Sequence, residues 1–295
     1  MFQGIITPII TPMNRDFEQS INYDALRVLI EHLISNGVSG LFILGSNGEF
    51  QVLSIEEKKK LISYVVKTVN KRVPVLVGVG SCNMNETLEL ANYAREEKVD
   101  GLSLVPPYFI KPTNEEIYNY FQQVASISKL PIIAYNIPKN TGYMIDGELL
   151  KLLFSLQNVV GIKDSSGSEE VLLEYLEIAK NFNKDVLVGS DSKISFGYLH
   201  GACGAVACTS NLLTKLLVEL WNCLEREDDK ATKLQKDIDV LRECLNLNTV
   251  PSVLKRSMEL AGICQSGPAR QPVKDIAGLY DDQLITMLNY YQLGE

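Results

Sequence analysis

Apolar residues along this chain gather into eight short runs rich in Val, Ile and Leu, beginning near Gly4, Gly40, Val75, Gly101, Ile132, Val159, Val186 and Ala205. Most positions within a run are apolar, which suits strands covered on both faces in a parallel sheet better than strands with one wet face. Between the runs the period changes to that of a helix. Residues 23–36 repeat Leu26, Leu29, Ile30 and Leu33 along one face, and Ser54 with Glu57 forms a capping-box pattern ahead of 55–69. Thr113 with Glu116 repeats that signal before 117–127, and helical pattern fills 85–97, 146–156 and 168–181. Successive runs start 19 to 36 residues apart, close to the length of one strand–helix unit with its loops. Eight such units predict a closed α/β barrel.

After the eighth run only helical pattern remains, over 212–224, 229–247, 251–260 and 281–291, with a Gly- and Pro-containing loop through 267–272. The first of these helices closes the barrel. We therefore expect a barrel over residues 1–224 and a helical appendage over 225–295. An open doubly wound sheet is the alternative, but the strand count and the absence of a G-x-G-x-x-G turn after the first strand argue against it.

Composition narrows the chemistry. The 295 residues are 46% hydrophobic and 22% charged, ordinary for a globular chain able to bury a large core. A net charge of -8, with no basic block beyond 58–60, argues against nucleic-acid backbone binding. The opening residues lack a basic n-region and a cleavage-type site, and no apolar run is long enough to span a bilayer, so a cytoplasmic protein without a membrane partner is expected. Six cysteines without a C-x-x-C pair are read as buried free thiols. His32 and His200 are the only imidazoles, with no second ligand at metal-binding spacing, which argues against zinc and against a histidine base. An enzyme built on this chain is expected to use Lys, Tyr, Ser, Asn or carboxylates, with no metal and no cofactor.

In an α/β barrel the chemistry sits where strands end, so polar residues that break an apolar run just as it finishes are informative. Four breaks stand out. The first is Gly45-Ser46-Asn47-Gly48-Glu49, whose flanking glycines allow backbone N–H groups to converge on a small anion; a plain turn with Ser or Asn capping a helix fits the same residues. The second is Tyr135-Asn136-Ile137-Pro138, a strand ending in a phenol, which serves either packing or proton transfer. The third is Lys163, reached after the largely apolar Val159-Val160-Gly161-Ile162. Lysine is rarely buried without a use, and desolvation lowers its pKa, freeing the amine to attack a carbonyl. The fourth is Val188-Gly189-Ser190-Asp191. Together they suggest Lys163 as an imine-forming nucleophile, Tyr135 as a proton shuttle and residues 45–49 as a carboxylate cradle.

The Gly-Ser-Asn-Gly-Glu loop, Tyr135-Asn136-Ile137-Pro138 and Gly161-Ile162-Lys163-Asp164-Ser165-Ser166, in this order, resemble the dihydrodipicolinate synthase and N-acetylneuraminate lyase superfamily across nearly the whole chain. The resemblance implies a (β/α)8 TIM barrel with a C-terminal helical domain, a homotetramer built as a dimer of dimers, and metal-independent lysine-imine chemistry on pyruvate or another 2-oxo acid. It implies that Lys163 forms the imine, Tyr135 relays protons, Gly45, Ser46, Asn47 and Gly48 bind the pyruvyl carboxylate, and the Val206 carbonyl lines the site. It further implies a tyrosine after the fourth strand that completes a neighbouring subunit's site. Tyr108 is the choice here, and a shift of one residue puts Phe109 there instead.

Two departures bear on the substrate. The synthases of this superfamily carry Thr-Thr where this chain has Ser46-Asn47, and an arginine where it has Asn140. Asparagine cannot supply the charge that holds a second carboxylate, although Lys139 offers a point charge beside it. The motifs look most like the 4-hydroxy-2-oxoglutarate aldolase branch, which implies retro-aldol cleavage of a 4-hydroxy-2-oxo acid to pyruvate and an aldehyde. Condensation of pyruvate with aspartate semialdehyde, cleavage of 2-keto-3-deoxy sugar acids or N-acetylneuraminate, and a noncatalytic 2-oxo acid sensor on the same barrel are the alternatives.

Overall fold

Strands β1 (Gly4–Pro8), β2 (Gly40–Ile43), β3 (Val75–Gly78), β4 (Gly101–Leu104), β5 (Ile132–Asn136), β6 (Val159–Asp164), β7 (Asp185–Val188) and β8 (Gly204–Val206) pair in parallel, in chain order. The sheet closes where Gly4, Ile5 and Ile6 of β1 meet Gly204, Ala205 and Val206 of β8. This computed structural model describes residues 2–294. Every strand begins within one residue of its expected start, because a run buried on both faces marks its own ends when charged or turn-forming residues resume.

Helices α1 (Tyr23–Ser35), α2 (Ile55–Val69), α3 (Met84–Glu96), α4 (Asn114–Ser128), α5 (Pro138–Thr141), α6 (Gly147–Phe154), α7 (Glu169–Phe182), α8 (Ile194–Leu199) and α9 (Thr214–Glu225) lie among and after the strands. Both capping boxes form. The Ser54 amide donates to Glu57 Oε2 at 2.8 Å and the Thr113 amide donates to Glu116 Oε2 at 2.7 Å, satisfying N–H groups that have no partner within the helix. The pattern did not foretell α5 or α8: with four and six residues, neither is long enough to repeat an apolar stripe.

Two apolar layers hold the barrel. Phe2, Ile6, Phe42, Leu76, Ile133 and Leu187 fill the interior, while the alternate strand residues join the helices in a continuous outer core. Phe2 plugs one end so closely that a Cβ on Gly101 would lie 2.7 Å from its ring. Beyond α9, helices α10 (Lys230–Cys244), α11 (Ser252–Leu260) and α12 (Asp281–Tyr290) pack on one another, and Ile238, Leu241, Met258 and Leu284 belong to the same outer core as the barrel helices.

One irregularity sets the geometry of the mouth. Ile132 pairs with Val159, but Ile133 pairs with Gly161, so Val160 is an extra residue in β6. This bulge advances β6 by one position and places Tyr135 level with Lys163, and Asn136 level with Asp164. Without it Tyr135 would face Ile162. Since strand side chains alternate, Tyr135 and Lys163 then share the barrel interior, while Asn136 and Asp164 point to the other face and bond to each other at 2.8 Å.

Candidate active site

A cavity of about 790 Å³ opens at the carboxyl ends of the strands. Its lining includes Gly45, Ser46, Asn47, Tyr108, Tyr135, Lys163 and Val206, so seven of the eight residues singled out from sequence meet in one space. Gly48 is the exception. It does not line the cavity, because its amide donates to the Gly45 carbonyl at 3.0 Å and its carbonyl accepts the Thr11 hydroxyl at 2.7 Å. A side chain there would be crowded: a Cβ would lie 3.3 Å from three backbone atoms. Neither His32 nor His200 reaches the cavity.

Lys163 stands on the interior face of β6, 4% exposed. Its Nζ lies 3.9 Å from the centre of the Tyr135 ring and 5.1 Å from that of Phe42. Among the described residues it has no carboxylate partner within ion-pair distance. The amine is thus held by packing on these rings rather than by an ion pair. The packing includes Gly189, at the fourth polar break: a Cβ there would lie 2.9 Å from Lys163 Cε and 2.7 Å from the Asp164 carbonyl oxygen. Glycine is needed there to admit the lysine stem.

Asp164, next in sequence, does not neutralise this amine. Its carboxylate accepts Asn136 Nδ2, the Ser166 amide at 3.0 Å and Ser166 Oγ at 2.8 Å, on the far side of the strand. Burial raises its pKa from the ordinary carboxylate value, while those donors and the Lys163 charge oppose the rise. Asn136 also accepts the Ile145 amide at 3.1 Å, so this pair fixes the ends of β5 and β6.

The Tyr135 hydroxyl makes no hydrogen bond to protein among the described residues, and it belongs to a side chain that lines the cavity. The amides of Ser46 and Asn47 likewise donate to no protein acceptor. These groups are left available to a ligand. Tyr108 is half-buried and packs edge-on to Phe50 with 6.2 Å between ring centres, and burial raises its pKa. Phe109 turns away from the cavity, 94% exposed with a φ of 76°.

Several lining residues escaped the sequence reading. Ser103 on β4 has a buried hydroxyl without a hydrogen-bond partner, and Leu245, Asn246, Asn248, Thr249 and Val250, from between α10 and α11, form the outer wall. Nothing in the local pattern marks them, since the wall comes from a segment more than 80 residues beyond Lys163. Cys208 also lines the cavity, but burial and the adjacent Asp191 carboxylate hold its thiol well above the ordinary range, so it stays protonated and is no rival nucleophile. The expectation of six buried thiols is corrected: Cys223 and Cys264 are buried, while Cys82 is exposed in the loop after β3, where the chain runs over the surface.

Closed parallel strands with a cavity at their carboxyl ends place the protein in the class of (β/α)8 barrels. Residues 1–290 match the model of the dihydrodipicolinate synthetase family. A 4-hydroxy-tetrahydrodipicolinate synthase of Methanoculleus marisnigri is 31% identical over 289 residues, covering 98% of this chain and 99% of that one. YagE of E. coli K12, a prophage protein of the dihydrodipicolinic acid synthase family solved in complex with pyruvate, superposes with a TM-score of 0.94 at 32% identity and 99% coverage of both chains. The dihydrodipicolinate synthase of Acinetobacter baumannii, also solved with pyruvate, superposes at 0.92 with 29% identity, covering 99% of this chain and 100% of that one. The chain belongs to the dihydrodipicolinate synthetase family, a family of lyases.

Proposed function

We propose that this protein is a class I aldolase that cleaves a 4-hydroxy-2-oxo acid to pyruvate and an aldehyde through an imine on Lys163. The observation that carries the reading is a buried lysine amine with no ion-pair partner among the described residues, stacked on the ring of a tyrosine whose hydroxyl is likewise unpartnered there, in the lining of a cavity. Pyruvate bound to YagE and to the Acinetobacter enzyme supports a 2-oxo acid as ligand.

The proposed steps follow from these positions. Lys163 Nζ adds to the C2 carbonyl, and loss of water gives a protonated imine. Tyr135, having given its hydroxyl proton to the departing water, takes the proton of the 4-hydroxyl as the C3–C4 bond breaks; the electron pair flows to the imine, C4 leaves as the aldehyde, and the re-formed phenol supplies the proton that C3 takes up. Protonation of the enamine at C3 and hydrolysis release pyruvate and restore the free amine. The Ser46 and Asn47 amides hold the carboxylate next to C2, orienting the bond that breaks, and Val206 lines the same cavity. Imine chemistry of this kind needs neither metal nor cofactor.

The synthase reaction runs the same enamine forward onto aspartate semialdehyde, and the name of the Methanoculleus relative favours it. Against it stand Ser46-Asn47, which lacks the paired hydroxyls, and Asn140, which lines the cavity without a charge. Asn140, Asn246, Asn248 and Thr249 line the rim with neutral donors and acceptors, with Lys139 beside them as a point charge, and suit a hydroxylated tail, as in a 2-keto-3-deoxy sugar acid, as the second reading. Steady-state assays with 4-hydroxy-2-oxoglutarate, aspartate semialdehyde plus pyruvate, and a 2-keto-3-deoxy acid separate the three.

Borohydride trapping with pyruvate, read by intact mass and peptide mapping, tests the central claim. An adduct on Lys163 is expected, and none in Lys163→Ala; adduct at the wild-type level in that variant overturns the assignment. A homotetramer in the cytoplasm is part of the same proposal, supported by Phe109 and Ile110, which are 94% and 74% exposed side by side. Sedimentation of a fully active monomer would contradict it.

A further inference from the structure

The charged pair that the proposed chemistry does not use lies directly behind the carboxylate cradle. Lys255 of α11 is fully buried and donates from Nζ to Glu49 Oε1 at 2.6 Å and to the Pro268 carbonyl at 2.7 Å. The other carboxylate oxygen of Glu49 accepts the Arg270 amide at 2.7 Å. The Arg270 guanidinium is fixed in turn by Glu57 at 2.9 Å and by the Gln19 carbonyl at 2.7 Å. Two segments distant in sequence, α11 and the 268–270 loop, thus converge on one side chain at the end of the Gly45-Ser46-Asn47-Gly48-Glu49 loop.

The backbone around that side chain is the cradle itself. Glu49 has a φ of 59°, a left-handed conformation that a residue with a Cβ keeps only where its surroundings enforce it. Its amide donates to the Ser46 carbonyl at 3.2 Å, and the Gly48 amide to the Gly45 carbonyl at 3.0 Å. These two turns determine where the free amides of Ser46 and Asn47 stand. A buried ion pair is seldom retained for net stability, because apolar residues of equal volume serve as well; its directed bonds, unlike apolar contact, can define one backbone conformation.

We propose that Glu49 and Lys255 are positioning residues for substrate binding: the buried pair locks the left-handed turn at Glu49 and thereby sets the affinity of the Ser46–Asn47 amides for the carboxylate of a 2-oxo acid. This inference takes the identity of its ligand from the imine-aldolase reading. It makes the C-terminal helices part of the binding machinery rather than an appendage, since they supply the cation that holds the loop.

The test uses Glu49→Gln, Lys255→Met and the double variant in the full chain, with melting temperature recorded for each. Titration calorimetry with pyruvate and with its neutral analogue pyruvamide reads the cradle, and borohydride trapping reads the imine. Glu49→Gln is expected to weaken pyruvate about 10- to 100-fold, the scale of losing a well-placed hydrogen bond to a charged group. The pyruvate concentration that half-saturates trapping should rise by more than the limiting trapping rate falls, and affinity for pyruvamide should fall far less than affinity for pyruvate. The double variant should regain the melting temperature lost in Lys255→Met without regaining pyruvate affinity. Unchanged pyruvate affinity in Glu49→Gln overturns the proposal, as does equal weakening of pyruvate and pyruvamide, or affinity that tracks melting temperature through the series. Wild-type protein that binds pyruvate without forming a Lys163 adduct refutes the imine reading while the calorimetric contrast still decides this one. Wild-type protein that binds neither compound overturns the cradle and the pair's role with it.

Discussion

Replacing Gly189 by alanine is the sharpest test of how Lys163 is held. The added methyl carbon would lie 2.1 Å from Ser165 Oγ, 2.7 Å from the Asp164 carbonyl oxygen and 2.9 Å from Lys163 Cε, where ordinary contact begins at 3.4 Å. The serine hydroxyl can rotate away, giving up its bond to the Gly189 carbonyl at 3.3 Å. The Asp164 carbonyl cannot, because it belongs to the backbone of β6. Relief therefore requires β6 and β7 to part by at least about 0.7 Å at the Asp164 carbonyl, and the lysine stem to move away with β6 or bend back by at least about 0.5 Å, in an interior packed too densely to absorb the change freely. Overpacking of this kind costs about 1–3 kcal/mol of stability. A shift of the amine by a sizeable fraction of an ångström slows imine formation about 10- to 100-fold. The assay is the rate of borohydride trapping at saturating pyruvate, with a urea melt on the same sample. A melt lowered as expected but trapping at the wild-type rate would refute the reasoning, because the methyl group would then have been accommodated without moving the lysine.

Tyr135→Phe keeps the ring under Lys163 Nζ and removes only the hydroxyl, so the pyruvate adduct should persist while turnover falls about 10²- to 10⁴-fold; unchanged turnover removes Tyr135 from proton transfer. Arg256 of α11 donates from Nε to Asp281 of α12 at 2.8 Å, and this bond holds the Asp281 carboxyl below its ordinary value of 3.8. A lowered folded-state pKa contributes stability that is complete above the ordinary value and lost as pH falls through the lowered one. Arg256→Ala should therefore cost roughly 1 kcal/mol at pH 7, and the gap from wild type should close in acid. An equal gap at neutral and acid pH contradicts the assignment.

Much of this molecule is written locally. The starts of all eight strands follow from apolar runs bounded by turn and charged residues, and the helix starts at Ser54 and Thr113 from side chains that satisfy their own amides. Lys163 could be singled out because an amine ending an apolar run in a barrel has only the mouth to point into. Tyr135 and the 45–49 loop were legible for the same reason. Gly48 shares that loop without lining the cavity, a distinction the sequence does not draw, because it cannot tell an amide that faces open space from one that closes its own turn.

What the chain order could not decide is which of these residues meet, and at what height. Strand alternation assigns each side chain a face only once the register is known, and the register of β6 against β5 depends on one extra residue, Val160, whose bulge brings Lys163 level with Tyr135. The outer wall from Leu245 to Val250, the space beside Gly189 and the Glu49–Lys255 pair are likewise contacts between residues far apart in sequence. Local periodicity carries the free-energy preference of a segment for helix or strand. The shape of the cavity is set by packing and directed bonds between segments, which exist only once the barrel has closed.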